Sequence, residues 1–301
     1  MKKIFFILME RIHSTHIDYK YFHKYLTTLV EYEKLSKDII LVGPGTSIET
    51  FENIHYDNNV VIFVCTELMS RKDFEAQRKY MLMCHIIVTG YFHEIPENFK
   101  GNVCIIPAYF LWVDFMKEEI LNIIKGNICF SMNDRNGICF VARDDVGKNR
   151  RRMLRYFKSK EIHIDCPSKI GNNCPSIESR NMTKVEFLQN YIFNLCPENI
   201  YSEGYVTEKI FEACFAGCIP LYFGAGLQHI ENIINMDRVI LTHKGFRSHI
   251  YDDMLQTLKT FENREKLEKF FYQPIFCDGA YNEIQKLFEK VKEVLGYAYE
   301  F

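Results

Sequence analysis

The stretch Asn194–Gly224, NLCPENIYSEGYVTEKIFEACFAGCIPLYFG, puts a glutamate and a lysine where they could meet an anion. A buried apolar run ends in a polar loop, and Thr207 then stands where an N-cap would open a helix. Ile210 rather than Glu or Gln lies three residues on, so the capping box is incomplete. Ile210, Phe211, Cys214 and Phe215 form the stripe such a helix would bury, and Gly217 is a natural C′ residue. Glu208 and Lys209 then fall in the first turn, beside backbone N–H groups with no helical partner and at the positive end of the dipole. That is a place for a diphosphate, with lysine as an added point charge. The alternative is an ordinary βαβ unit whose Glu and Lys are simply solvated.

Other reactive types are scattered. The basic run Lys148-Asn149-Arg150-Arg151-Arg152, continuing to Arg155, reads by composition as a solvated helix face or a localisation-like cluster. Glu67 follows the apolar run Val60–Cys65, where a strand's carboxyl end would open on a cleft, and Glu10 follows Ile4–Met9 in the same way. There is no Asp-x-Asp, only the adjacent pairs Asp144-Asp145 and Asp252-Asp253, so the sequence does not require Mg²⁺ or Mn²⁺. His163, Asp165, Cys166 and Cys174 are metal-ligand types at a spacing that fits no zinc pattern, and they read as strand and loop. His243, after the run ending at Leu241, could face a cleft, although a single His is more often structural.

These residues need elements to hold them. Ile4–Met9, Asp38–Val42, Asn59–Cys65 and Cys84–Val88 read as buried strands, with a helix at Tyr19–Lys34. Strands alternating with helical stretches argue for a parallel sheet covered on both faces. The polar, turn-rich Ser131–Gly137 marks a domain boundary. A second series follows: strands at Ile138–Ala142, Ile162–Asp165, Ile192–Cys196, Ile219–Phe223 and Arg238–Leu241, with helices at Lys148–Lys158, Lys184–Gln189 and Glu208–Ala216. An amphipathic helix, Tyr281–Val294, closes the chain. The expected architecture is α/β, with domains at 1–134 and 135–280 and a terminal helix at 281–301. Ligands of such sheets bind at the carboxyl ends of the strands.

Composition narrows the function. The 301 residues suggest about two domains. With 48% hydrophobic and 25% charged residues the chain folds as a globular protein, and its net charge of −2 argues against dedicated nucleic-acid binding. Eleven cysteines without a C-x-x-C pair argue against a secreted disulfide framework and for a reducing compartment. Neither MKKIFFILMER nor the uncharged Ala213–Leu227 is long enough for a spanning helix, so at most peripheral membrane contact is expected.

The residue string then carries a resemblance. Glu198-Asn199, Gly204-Tyr205-Val206-Thr207-Glu208-Lys209, Ala213, Ile219-Pro220 and Gly224 match, in order and spacing, the motif of the α-1,3-fucosyltransferases, glycosyltransferase family 10. The likeness is clear over roughly Ile138–Thr242 and faint over the N-terminal half. It implies a GT-B-like fold, two doubly wound βαβ domains facing each other across a cleft, with acceptor bound by the N-terminal domain and GDP-fucose by the C-terminal one. It implies an inverting transfer of fucose to a glycan hydroxyl, in α-1,3 linkage to a GlcNAc-type sugar; no cofactor is expected and, with Asp-x-Asp missing, no metal requirement. Glu208 and Glu212 lie four apart, not eight as in retaining GT-B enzymes, which agrees with inversion.

The resemblance also assigns roles. Arg150, with Met153 at +3 and Phe157 at +7, matches the family arginine that contacts the donor diphosphate. Asn199, Tyr205, Thr207, Glu208 and Lys209 become donor-binding residues, and Glu208 also a catalytic one that steadies the ribose, the sugar hydroxyls or the oxocarbenium-like centre. Glu67 becomes the base, although Leu68-Met69 replaces the family's following residues, and Glu10 is the second candidate. Two readings stay open beside this one: another nucleotide-sugar donor, and a catalytically silent nucleotide-sugar-binding protein. The family's anchored members are eukaryotic, so the chain is expected to be cytoplasmic, bacterial or virus-encoded.

Overall fold

Short apolar runs rich in Ile, Val and Phe form ten strands among the described residues, all paired in parallel. In this computed structural model the described residues are 4–6, 38–43, 46–65, 71–89, 104–107, 109–113, 116–145, 148–202, 204–225, 227–242 and 251–296. The chain divides into two units, Met1–Phe115 with Ile284–Phe301, and Met116–Glu283.

In the first unit β1 (Ile4–Phe6), β2 (Asp38–Val42), β3 (Asn59–Cys65), β4 (Ile86–Thr89) and β5 (Cys104–Pro107) lie in sequence order. Residues 60–65 of β3 are buried without alternation, as in a strand covered on both faces. One core of this unit gathers Phe51 of α1 (Ile48–Glu52), Phe63 and Ile87 with Tyr80 and Met81 of α2 (Arg71–Met81). β5 was not expected: four residues ending in Pro carry too short an apolar signal. The whole of the expected helix Tyr19–Lys34, with Glu10, Glu67 and His243, lies outside the described residues.

The second unit holds β6 (Asn136–Phe140), β7 (Ile164–Asp165), β8 (Tyr191–Pro197), β9 (Ile219–Phe223) and β10 (Ile240–Leu241) in the order β10-β9-β8-β6-β7. The order reverses between β6 and β8, which makes their carboxyl ends a topological switch point. Around the sheet run α5 (Asn149–Ser159), α6 (Lys184–Leu188), α7 (Glu208–Phe215), α8 (Asp252–Thr260) and α9 (Arg264–Phe271).

The units part before the expected boundary at 134/135. Between them and β6 lie α3 (Phe110–Val113), in the first unit, and α4 (Lys117–Ile124), in the second. Met132 belongs to the second core and Phe130 packs against it. Arg135 ties this segment down, donating to the carbonyls of Ser131 at 2.7 Å, Tyr191 at 2.9 Å and Ala216 at 3.0 Å. The terminal helix α10 (Ala280–Gly296) crosses from one unit to the other at 283/284 rather than starting a segment of its own.

α7 is built as its sequence demands. Ile210, Phe211, Ala213, Cys214 and Phe215 are buried, and the larger of these side chains contribute roughly 1.5–3 kcal/mol each. The helix ends in a Schellman turn: Cys218 N donates to Ala213 O and Gly217 N to Cys214 O, both at 2.9 Å. Gly217 has φ +71°, and a Cβ there would stand 2.3 Å from the Phe130 ring, so only glycine fits.

Candidate active site at the β6–β8 switch point

The strands deliver their last residues to a crevice of about 210 Å³, counted to its open mouth. Phe140 and Val141 at the end of β6 and Asn194 to Pro197 at the end of β8 form its floor. Three cationic side chains, Arg150, Lys184 and Lys209, complete the lining, from α5, α6 and α7.

Lys209 is held on the inner side. Its ammonium lies 2.6 Å from Thr207 Oγ1, 3.2 Å from Glu198 Oε2 and 3.2 Å from Glu208 Oε1. Glu198 is completely buried and also accepts from Thr207 N at 2.9 Å, Thr207 Oγ1 at 2.8 and 3.0 Å, and Tyr222 Oη at 3.2 Å. Burial would lower the Lys209 ammonium, but Glu198 and then Glu208 outweigh it, against opposition from Arg150, and hold the lysine charged above its ordinary range. Burial likewise would raise the Glu208 carboxyl. Lys209, Lys184 and a backbone hydrogen bond overcome it and hold it at about 2. The Tyr222 phenol is pushed well up by burial first and Glu198 second, so it remains a donor.

Two expectations about helix starts change. Thr207 is the N-cap residue of α7, but its hydroxyl caps nothing: it donates to Glu198 and accepts from Lys209. Its N–H donates to the Glu198 carboxylate as well. At α5, Lys148 sits at φ +58° with no side-chain cap, and Asp145 accepts instead from Arg150 N at 3.0 Å and Arg151 N at 3.2 Å. The start of α5 is therefore closed by a carboxylate, while the side chains of Arg150, Lys184 and Lys209 belong to residues lining the crevice.

Arg150 is buried at 5% exposure, with Nη1 donating to Asp144 O at 2.5 Å and Nε to Pro197 O at 3.4 Å. Its Nη2 bonds to nothing among the described residues, and the guanidinium forms one wall of the crevice. Arg151, Arg152 and Arg155 point to solvent. Lys184 pairs with Glu212 one turn beyond Glu208 on α7. Burial, reinforced by Glu208, raises the Glu212 carboxyl against the pull of Lys184. Asn199 accepts from Asn149 Nδ2 at its carbonyl, 3.3 Å, while its Oδ1 is buried with no partner among the described residues; Asn199 does not line the crevice. Tyr205 is 1% exposed and does not line the crevice.

Arg150 and Lys209 are thus brought together and Glu208 stands beside them, whereas Tyr205 is set back in the core. Sequence reasoning missed Glu198 and Lys184. Glu198 stood in the motif without a role, and a carboxylate just past an apolar strand end was the available signal. Among the described residues no group of three or more His, Cys, Asp and Glu could hold a metal ion, and no helix is long and apolar enough to cross a membrane. His163 and Asp165 pair at 2.9 Å, apart from the buried Cys166 thiol, which turns to Ile164 O.

The family model described as Glycosyltransferase family 10 (fucosyltransferase) C-term matches residues 131–273, which contain every residue of this crevice. Over these residues the second unit is similar to a family 10 glycosyltransferase domain. An α-(1,3)-fucosyltransferase of Helicobacter pylori is 33% identical over 195 residues, covering 56% of this chain and 39% of that protein. The chain spans less than half the length of the curated relatives it matches. Two solved structures share the fold. An α1,3-fucosyltransferase with GDP-fucose gives a TM-score of 0.55 at 18% identity, over 86% of this chain and 78% of that one. Another α1,3-fucosyltransferase structure gives 0.56 at 20%, over 87% and 78%. The stretch that the family model matches therefore holds the crevice at its own switch point, in a chain with a GT-B-like α/β fold.

Proposed function

We propose that the protein is an inverting fucosyltransferase that moves fucose from GDP-fucose to a hydroxyl of a glycan acceptor, in α-1,3 linkage to a GlcNAc-type sugar. The observation that carries this reading is the convergence of Arg150, Lys184 and Lys209 at the switch point, within the stretch that the family 10 model matches. The acceptor oxygen attacks the anomeric carbon as the bond to the GDP oxygen breaks. The acceptor proton goes to a carboxylate, assigned to Glu67, with Glu10 as the second candidate. Negative charge grows on the leaving diphosphate, where fixed cations stabilise the transition state more than the ground state. Arg150 supplies a planar fork and Lys209 a point charge. Glu208, held ionised at about 2, faces the positive charge that develops on the sugar ring. Asn199, Tyr205 and Thr207 complete the donor-binding set, Thr207 by fixing Lys209.

The cations do the work a metal would do at the diphosphate, so transfer is proposed to need no divalent ion. Ten of the eleven cysteines are free thiols, which supports a reducing compartment.

The test is incubation with GDP-fucose, GDP-mannose and UDP-sugars, scoring donor hydrolysis and transfer to N-acetyllactosamine-type acceptors in EDTA. Transfer from GDP-fucose with inverted product is expected. Transfer from another donor alone, or GDP binding without turnover on any donor, would replace this reading.

A further inference from the structure

A carboxylate with no exposed surface is costly unless charge and hydrogen bonds compensate it. Glu198 has both, and their arrangement is directional. Oε1 collects Thr207 N–H and Tyr222 O–H, from the start of α7 and from β9. Oε2 takes the Thr207 hydroxyl at 2.8 Å and the Lys209 ammonium at 3.2 Å. The Thr207 hydroxyl is polarised by the same geometry, donating towards Glu198 and accepting from Lys209 at 2.6 Å. A lysine head is a compact charge on a flexible stem with about 2 kcal/mol of rotamer entropy. Here it is fastened from behind, on the side away from the crevice mouth, leaving Lys209 only 13% exposed. Gly224 completes the support: a Cβ there would lie 2.4 Å from Tyr222 Oη, in the space that the ring uses to reach Glu198.

We propose that Glu198 is a positioning residue for donor chemistry, fixing the Lys209 ammonium at the diphosphate-facing wall of the crevice through the Glu198–Thr207–Lys209 triangle. The inference rests on the donor reading given above. Glu198 itself touches no reacting atom. It acts by keeping Lys209 charged and in place against Arg150 on α5, which repels it, in a crevice that Lys184 of α6 also lines. Glu208 and, more weakly, Glu212 on α7 support it from the open side.

Glu198→Gln keeps the shape and one acceptor but turns an amide towards either Lys209 or the Thr207 donors. GDP affinity should fall by at least about tenfold, the scale of one lost charged hydrogen bond. The readout that a merely structural role would not move is the alkaline limb of kcat/KM. With its strongest compensating charge gone, Lys209 deprotonates earlier, so the limb should move to lower pH. Glu198→Gln added to Lys209→Met should cost little beyond Lys209→Met alone, because the two act as one unit. Should Glu198→Gln fail to fold, Thr207→Val removes the hydroxyl that links the pair, and the same downward shift is expected.

A folded Glu198→Gln protein with wild-type GDP affinity and an unmoved alkaline limb overturns the positioning role while leaving the donor reading intact. So does full additivity with Lys209→Met. A wild-type protein that neither binds GDP nor transfers fucose overturns the donor reading, and this inference with it.

Discussion

Arg238 Nη2 donates to the Gly217 carbonyl at 2.9 Å, and so holds the end of α7 from the opposite side to the crevice. Nη1 reaches Cys218 O at 2.8 Å and Nε reaches Phe271 O at 3.0 Å, with the side chain 2% exposed. The acceptors are carbonyls at the negative end of a helix, which suit a cation without any carboxylate. Arg238→Leu would strand three buried carbonyls. A loss of at least about 3 kcal/mol is expected in urea unfolding, from roughly 1–3 kcal/mol for each unsatisfied group. A change under 1 kcal/mol would mean that water reaches them.

Lys209→Ala should lower transfer by about 10²–10³-fold, because one preorganised charge on a leaving oxyanion is worth roughly 3–4 kcal/mol. The substitution also leaves Glu198 buried without its cation, so stability should drop as well. Lys209→Arg restores charge but not the compact fit beside Thr207, and should recover part of the stability and little of the rate. Steady-state kinetics on folded variants, checked by circular dichroism, would decide this; a near-normal kcat in Lys209→Ala removes the diphosphate assignment.

The acid side of the stability profile should carry the signature of Glu208. Its folded carboxyl is held at about 2, below the usual value of 4.5, so the unfolded chain binds the proton more tightly. The stabilisation is then fully present above about pH 4.5 and disappears as pH falls towards 2. Glu208→Gln should be less stable than wild type at pH 7 and equal to it near pH 2. Melting temperatures of both proteins across that range provide the check, and a gap that widens on acidification would contradict the sign.

Much of this site is local, and that part was legible. Gly217 announced the Schellman turn, the stripe Ile210–Phe215 announced α7, and the family resemblance, through its register at Met153 and Phe157, singled out Arg150, the buried arginine of its run. What sequence spacing concealed is what the tertiary fold sets. Glu198 meets Tyr222 across two strands, and Lys184 meets Glu212 across 28 positions. Thr207 looked like a cap because its type and place fit one, until a buried carboxylate claimed its hydroxyl. Helices α8 and α9 escaped notice because their polar residues outnumber the few they bury, Met254, Leu255 and Phe271. The boundary moved because Arg135, a polar residue in a turn-rich stretch, hydrogen-bonds inward.

Gly224→Ala tests the support behind the site rather than the site itself. A methyl group 2.4 Å from Tyr222 Oη must displace that ring, and the Tyr222–Glu198 hydrogen bond goes with it. The fold should lose about 1–3 kcal/mol from overpacking. GDP affinity should weaken in parallel, and Gly224→Ala combined with Tyr222→Phe should cost no more affinity than Gly224→Ala alone. Calorimetry on the three proteins gives the comparison, and unchanged GDP binding in Gly224→Ala would separate Tyr222 from the donor site.

The base is the remaining assignment. Glu67→Gln retains shape and a hydrogen bond but cannot take the acceptor's proton, so kcat should fall by about 10²–10⁴-fold. GDP affinity should stay as in wild type, because the proposed diphosphate contacts, Arg150 and Lys209, belong to the other unit. The pH profile separates a base from a binding residue. Wild type should lose activity as the base protonates on the acid side, and Glu67→Gln should lose that limb along with its rate. Single-turnover transfer and GDP calorimetry on wild type, Glu67→Gln and Glu10→Gln complete the test. If Glu10→Gln is inactive and still binds GDP while Glu67→Gln turns over, the base is Glu10; if both turn over, the proton leaves by another group and the N-terminal half of the alignment fails with it.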